Sequence, residues 1–185
     1  TGGGLYCINN INATGPTIIA NNTFVGNHAP PGLLGHLGGG LPLTLLTNGA
    51  FLVNNVIASN SSGIWRDWRT TNQPALWHNC VINSNADYLN LTAGTGDFSL
   101  NPQFVNPGAG NFQLLATSPC IDAGTNTFAP SADFDGVARP LDGDDNGVAR
   151  WDMGAFEFAH PSADTDGDGM KDADEVVAGT NPADA

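Results

Sequence analysis

The sequence predicts an all-β fold: the stacked coils of a parallel β-helix, closed by a C-terminal cap and followed by a short acidic tail. Three observations predict it. A segment with Asn at fixed positions recurs in the first half, helical periodicity is absent there, and the acidic residues crowd into the last third.

The coils take residues 1–96. Segments 19–27, 52–60 and 77–85 align without gaps. Their third positions are Asn21, Asn54 and Asn79, their ninth Asn27, Asn60 and Asn85, with apolar residues between. Gly-Gly-Gly-Leu at 2–5 recurs at 38–41, so the spacings are 33, 25 and 36 residues: a fixed core with variable loops. Short β-rich runs with Asn and Gly at corners suit coils whose strands stack about 4.8 Å apart in parallel sheets. Equivalent Asn side chains would then form a ladder, each amide bonding to the next coil, and Asn tolerates the left-handed conformation of a tight corner. A β-sandwich is the competing fold, and it does not require Asn at matched positions.

Charge divides the chain of 185 residues, whose net value is −13. Up to residue 121 only Asp67, Asp87 and Asp97 oppose Arg66 and Arg69; beyond it 15 acids oppose Arg139, Arg150 and Lys171. Nucleic acid is excluded as a partner, since phosphate binding needs clustered Lys and Arg. No apolar stretch approaches the roughly 20 residues of a membrane span. The chain begins at Thr1 without Met and reads as a mature product or a fragment. Cys7, Cys80 and Cys120 allow at most one disulfide, and without a CxxC pair they read as small buried apolar residues.

Residues 97–158 form the cap. The repeat fades into Asn101-Pro102-Gln103-Phe104, Ser118-Pro119-Cys120-Ile121-Asp122-Ala123-Gly124, Asp133-Phe134-Asp135-Gly136, Arg139-Pro140 and Asp152-Met153-Gly154-Ala155-Phe156-Glu157. These runs resemble the C-terminal module of bacterial secreted right-handed β-helix proteins of the choice-of-anchor Q type. With the upstream coils the resemblance covers residues 1–158; it implies a right-handed parallel β-helix and export, and no reaction. Asp122, Arg139, Asp152 and Glu157 are expected to form a buried ion-pair network in the cap, which must cover unpaired strand edges.

Residues 159–163, with Pro161, read as a linker, and 164–185 as a calcium-binding tail. Asp164, Asp166, Asp168, Gly169, Met170, Asp172 and Glu175 stand at positions 1, 3, 5, 6, 7, 9 and 12 of an EF-hand-like Ca²⁺ loop. Alternate short carboxylates converge on one ion, Gly169 permits the sharp turn, Met170 offers its carbonyl, and Asp172 acts directly or through water. Glu175 closes the shell with two oxygens and opens a helix over 175–178, stopped by Gly179 and Pro182. The tail resembles the calcium repeats of thrombospondin type 3 and related bacterial surface proteins. A weaker second metal site combines Asp142, Asp144 and Asn146 with Asp152 or Asp145, against the alternative of an acidic turn held by Asx-type hydrogen bonds.

In the loop 64–69, Trp65, Arg66, Trp68 and Arg69 offer a sugar-stacking platform; the competing reading packs the Trp rings over the flank of the coils. His78 reads as a structural hydrogen-bonder. Sequons stand at Asn12, Asn21, Asn60 and Asn90, with Asn21 too deep in the ladder for a glycan. The coil body lacks the paired carboxylates of a glycoside hydrolase and the Asp cluster of a lyase, and no GxSxG elbow occurs, so no catalytic residue is assigned. The expected function is an extracellular or cell-surface, calcium-binding structural or adhesive module. The alternative is a β-helical polysaccharide lyase or hydrolase, or a carbohydrate-binding fragment of one. Upstream coils or a second copy are expected against the first coil, where head-to-tail contacts would build a filament.

Overall fold

The computed structural model describes residues 4–5, 7–8, 15–28, 39–44, 49–68, 70 and 72–184. Arg69, the Asn12 sequon and most of the N-terminal edge lie outside them. The fold is mostly strand, with one short helix near the C-terminus.

Three parallel sheets share the first ninety residues. One contains β1 (Cys7–Ile8), β4 (Leu41–Thr44), β7 (Ile64–Arg66) and β10 (Tyr88–Leu89) in that order. A second contains β2 (Thr17–Ala20), β5 (Ala50–Val53) and β8 (Ala75–Trp77). The third contains β3 (Thr23–Val25), β6 (Val56–Ala58) and β9 (Cys80–Ile82). The chain therefore visits the three sheets in rotation, and every strand pairs with the third one before or after it. Parallel pairing throughout these sheets is incompatible with the antiparallel β-sandwich that competed at the sequence level.

Ile19, Leu41, Leu43, Leu52, Ile57, Ile64, Leu76 and Val81 fill the interior between the sheets, all buried. Short strands suffice because each contributes one or two such side chains, and stacking makes the core continuous from coil to coil. The turns are compact because Gly stands where backbones meet. A Cβ at Gly94 would lie 1.8 Å from the Leu76 carbonyl oxygen, and one at Gly63 would lie 2.1 Å from that of Asp87.

The expected 36-residue spacing at the glycine repeat is observed, with Cys7 opposite Leu43, and so is the spacing of 33, with Ile19 opposite Leu52. The third segment is shifted by one. Leu52 faces Leu76, not Trp77, and Val56 faces Cys80. Matched Asn letters misled the alignment because each Asn-Asn dipeptide offers two candidates. The left-handed corner falls on the first of each pair and on the residue equivalent to it, at Asn21, Asn54 and His78 with φ of 51°, 54° and 54°.

The ladder is built from the following residue. Asn22 donates its backbone N–H to Asn55 Oδ1 at 3.1 Å, Asn55 to Asn79 Oδ1 at 3.0 Å, and Asn79 to Asp97 Oδ1 at 2.8 Å. The Nδ2 groups of Asn55 and Asn79 reach the same acceptors at 2.9 Å. A second ladder runs from Asn27 through Asn60 and Asn83 to Asp87, with backbone bonds of 2.9, 2.9 and 2.6 Å. Asn85 stands outside it, bonded to the Ser61 carbonyl. Asn60 is fully buried in this ladder, which rules out the glycan its sequon suggested. Each ladder ends on Asp, a pure acceptor needing no further coil to receive an amide.

Beyond the coils, β11 (Phe104–Asn106) and β12 (Asn111–Leu114) pair antiparallel, and the chain to residue 171 runs as turns. Arg139 and Glu157 form an ion pair of 3.3 Å with both side chains fully buried. Arg139 also donates to the carbonyls of Asp152 and Gly154 at 3.3 and 3.1 Å. Asp152 and Asp122 join this network through hydrogen bonds rather than charge pairing: Asp152 accepts from the N–H groups of Asp122 and Phe158. Cys80 and Cys120 are buried free thiols in one apolar cluster with Met153 and Leu114. The helix α1 spans Asp172–Ala178. Among the described residues no helix is long and apolar enough to cross a membrane.

Candidate metal centre

The tail loop folds around its own carboxylates. Asp164 accepts from Gly167 N–H at 2.8 Å and Gly169 N–H at 3.1 Å, Asp166 from Asp168 N–H at 3.1 Å, and Asp168 from Met170 N–H at 2.7 Å. These short-range bonds bend the chain so that alternate side chains turn inward. Gly169 takes φ of 99°, a conformation closed to most side chains, as position 6 of the loop requires. One carboxylate oxygen each of Asp164, Asp166 and Asp168 lies within 4.8 Å of the others.

The helix supplies the fourth carboxylate. It starts at Asp172, three residues earlier than the sequence suggested, because Asp172, Asp174 and Glu175 in its first turn oppose the positive end of its dipole. Its end is as expected, with Gly179 in the left-handed conformation. Glu175 is 2% exposed and its Oε2 has no hydrogen-bond partner; Asp166 Oδ2 is likewise buried and unpaired. Loss of solvent, then the neighbouring charges of Asp166 and Asp168, push the Glu175 carboxyl above its ordinary value. Buried anionic oxygens without partners and close to like charges destabilise a protein unless a cation compensates them. The three grouped aspartates, with Glu175 close enough to feel the charges of two of them, offer a hard, all-oxygen donor set of the kind that suits hard cations.

Asp172 is placed differently. Its two oxygens accept from the backbone N–H and the hydroxyl of Thr165, both at 2.7 Å, and it is fully buried and not one of the three grouped aspartates.

The second set assembles in part. Asp142 and Asp144 group with each other and with Asp122, within 4.8 Å, and Asp152 is not in that group. Asp142 accepts from Asn146 and Gly147 N–H at 3.0 and 2.7 Å, while Asn146 Oδ1 accepts from Val148 N–H, hydrogen bonds of the Asx type. Asp152 spends both oxygens on backbone amides 30 and six residues away. Burial, then Asp144, raises the Asp122 carboxyl to about 6; the Gly143 and Asp144 N–H groups lower it electrostatically without reaching hydrogen-bond geometry. Asp122 carries φ of 53° after an unbroken Ser-Pro-Cys-Ile run, and nothing in the sequence signalled its approach to Asp142.

On the coils, Arg66 donates to the carbonyls of Asn90 and Thr70 at 3.0 and 2.9 Å, so its guanidinium is engaged in structure. Trp65 is half-buried in β7, and Trp68 is 82% exposed. His78 bonds through Nδ1 to the Ala123 carbonyl at 2.8 Å, tying a coil to the C-terminal module. Asp87 and Asp97 are ladder ends; Asp97 also accepts from the Tyr88 hydroxyl at 3.0 Å, and burial with Asp97 holds that phenol protonated.

Residues 164–185 match the family described as bacterial TSP3 repeat. No curated protein and no solved structure matches the chain.

Proposed function

We propose that the chain is an extracellular structural module. A right-handed parallel β-helix, ending in a choice-of-anchor Q type segment, carries a tail that takes up one calcium ion. The three-sheet rotation supports the coil reading, and right-handed crossovers are the rule between parallel strands. The ion would be held by Asp164, Asp166, Asp168 and Glu175, with the Met170 carbonyl at position 7. The observation that carries this reading is the pair of buried, unpartnered oxygens on Asp166 and Glu175, inside the stretch that matches a calcium-binding type of repeat. Such repeats are associated with extracellular proteins, where calcium is abundant and affinities on the order of 10⁻⁴ to 10⁻³ M suffice. Calcium here acts as a structural tie, replacing repulsion among four carboxylates with attraction.

Polysaccharide cleavage is the less favoured reading, because the coil acids Asp87 and Asp97 are committed to the ladders. Calorimetric titration of the chain with calcium tests the proposal. It should give one ion per chain, and heat absent at millimolar calcium would refute it.

A further inference from the structure

We propose that Asp172 is a positioning residue and not a ligand: with Thr165 it latches the calcium loop to the C-terminal module, so that filling the loop and docking the tail are one coupled event. The inference rests on the calcium reading above.

Thr165 stands between Asp164 and Asp166, the first two carboxylates of the loop. Its N–H and hydroxyl both donate to Asp172 at 2.7 Å, and its hydroxyl oxygen accepts from Asp142 N–H at 3.2 Å. Asp172 in turn donates its own N–H to the carbonyl of Ala163 at 3.0 Å, and Ala163 is buried. Asp172 opens α1, and Glu175 lies one turn further along the same helix. A single contact therefore joins both arms of the ion site, the aspartate loop and the glutamate helix. The same contact fastens them to the acidic turn at Asp142.

Asp172 is fully buried with each oxygen in a 2.7 Å bond to one residue, Thr165, and moving toward the ion would break both. Breaking them would also release Thr165 from Asp142. Thermodynamic linkage then requires reciprocity: whatever docks the tail raises calcium affinity, and calcium strengthens the docking by the same factor.

The test uses the full chain with terbium in the calcium site, where luminescence lifetimes in water and heavy water count the waters on the ion. Asp172→Asn and Thr165→Val should each weaken calcium binding by about tenfold and keep the wild-type number of bound waters. They should also speed proteolysis at residues 159–163 even in saturating calcium. Thr165→Ser, which retains the hydroxyl, should match wild type, and Glu175→Gln should add bound water. An added water in Asp172→Asn would make Asp172 a ligand and overturn the proposal. Unchanged affinity and protease resistance in both Asp172→Asn and Thr165→Val would show the latch idle and overturn it equally. A wild-type chain that takes up no ion defeats the calcium reading itself, and the coupling falls with it.

Discussion

At the scale of residues, the molecule separates chemically similar side chains by what already bonds to them. Asp164, Asp166, Asp168 and Asp172 belong to one loop motif, yet Asp172 is fully buried on Thr165 while Asp166 keeps a buried oxygen bare. The spacing of acids was legible in the sequence because a loop of this kind is local, with most of its bonds spanning five residues or fewer. The engagement of Asp172 was not, since it depends on a hydroxyl seven residues away and on the docking of the tail. Glu175→Gln should weaken calcium binding by at least about tenfold, read by calorimetry; an unaltered isotherm would remove Glu175 from the shell. The Asn ladders show the same separation. Asn55 is fully buried, accepts from Asn22 and donates to Asn79 and to the Ile19 carbonyl. Asn55→Ala should destabilise the fold by about 3 kcal/mol in urea melts, because it strands buried donors and acceptors on both sides. A loss under about 1 kcal/mol would show that the ladder is incidental.

At the scale of elements, parallel stacking followed from recurrence, and its register did not follow from letters alone. The pattern Asn-Asn at 21–22 and 54–55 becomes His-Asn at 78–79, so aligning on the first Asn placed β8 one residue out. Close backbone approach fixes the true register, and the sequence shows that only as an unremarkable Gly. Gly94→Ala should be more damaging than a typical loop substitution, by about 3 kcal/mol. Its Cβ would meet the Leu76 backbone, which cannot move without breaking the pairing of Leu52 with Leu76. Retained stability in Gly94→Ala would mean that the two backbones are further apart than described. The helix boundary was also misplaced, because position 12 of a calcium loop was taken as its start, whereas acids favour a whole first turn from Asp172.

At the scale of the whole molecule, the C-terminal module binds coils and tail together through buried polar contacts that sequence patterns only partly foretold. An ion-pair network of Asp122, Arg139, Asp152 and Glu157 was expected; Arg139 and Glu157 do pair, while Asp152 is withdrawn into backbone hydrogen bonds whose partners are set by tertiary turns. Burial raises Glu157 from 4.5 to about 7 despite Arg139, so the folded state holds a proton there that the unfolded chain has lost. That stabilisation is present below pH 4.5 and is lost as pH rises through about 7. With calcium chelated, the melting temperature should therefore fall as pH rises across this window. Glu157→Gln, which resembles the protonated acid, should flatten the slope and cost most above about pH 7, where Arg139 loses a charged partner. A slope that survives in Glu157→Gln would assign it to another group.

The most direct test of the central claim is a crystal structure of the chain grown in millimolar calcium. The account predicts one ion, with oxygens of Asp164, Asp166, Asp168, Glu175 and the Met170 carbonyl at about 2.3–2.6 Å, and Asp172 still bonded to Thr165. A loop that refines without an ion, or an ion that draws its ligands from elsewhere, would contradict it.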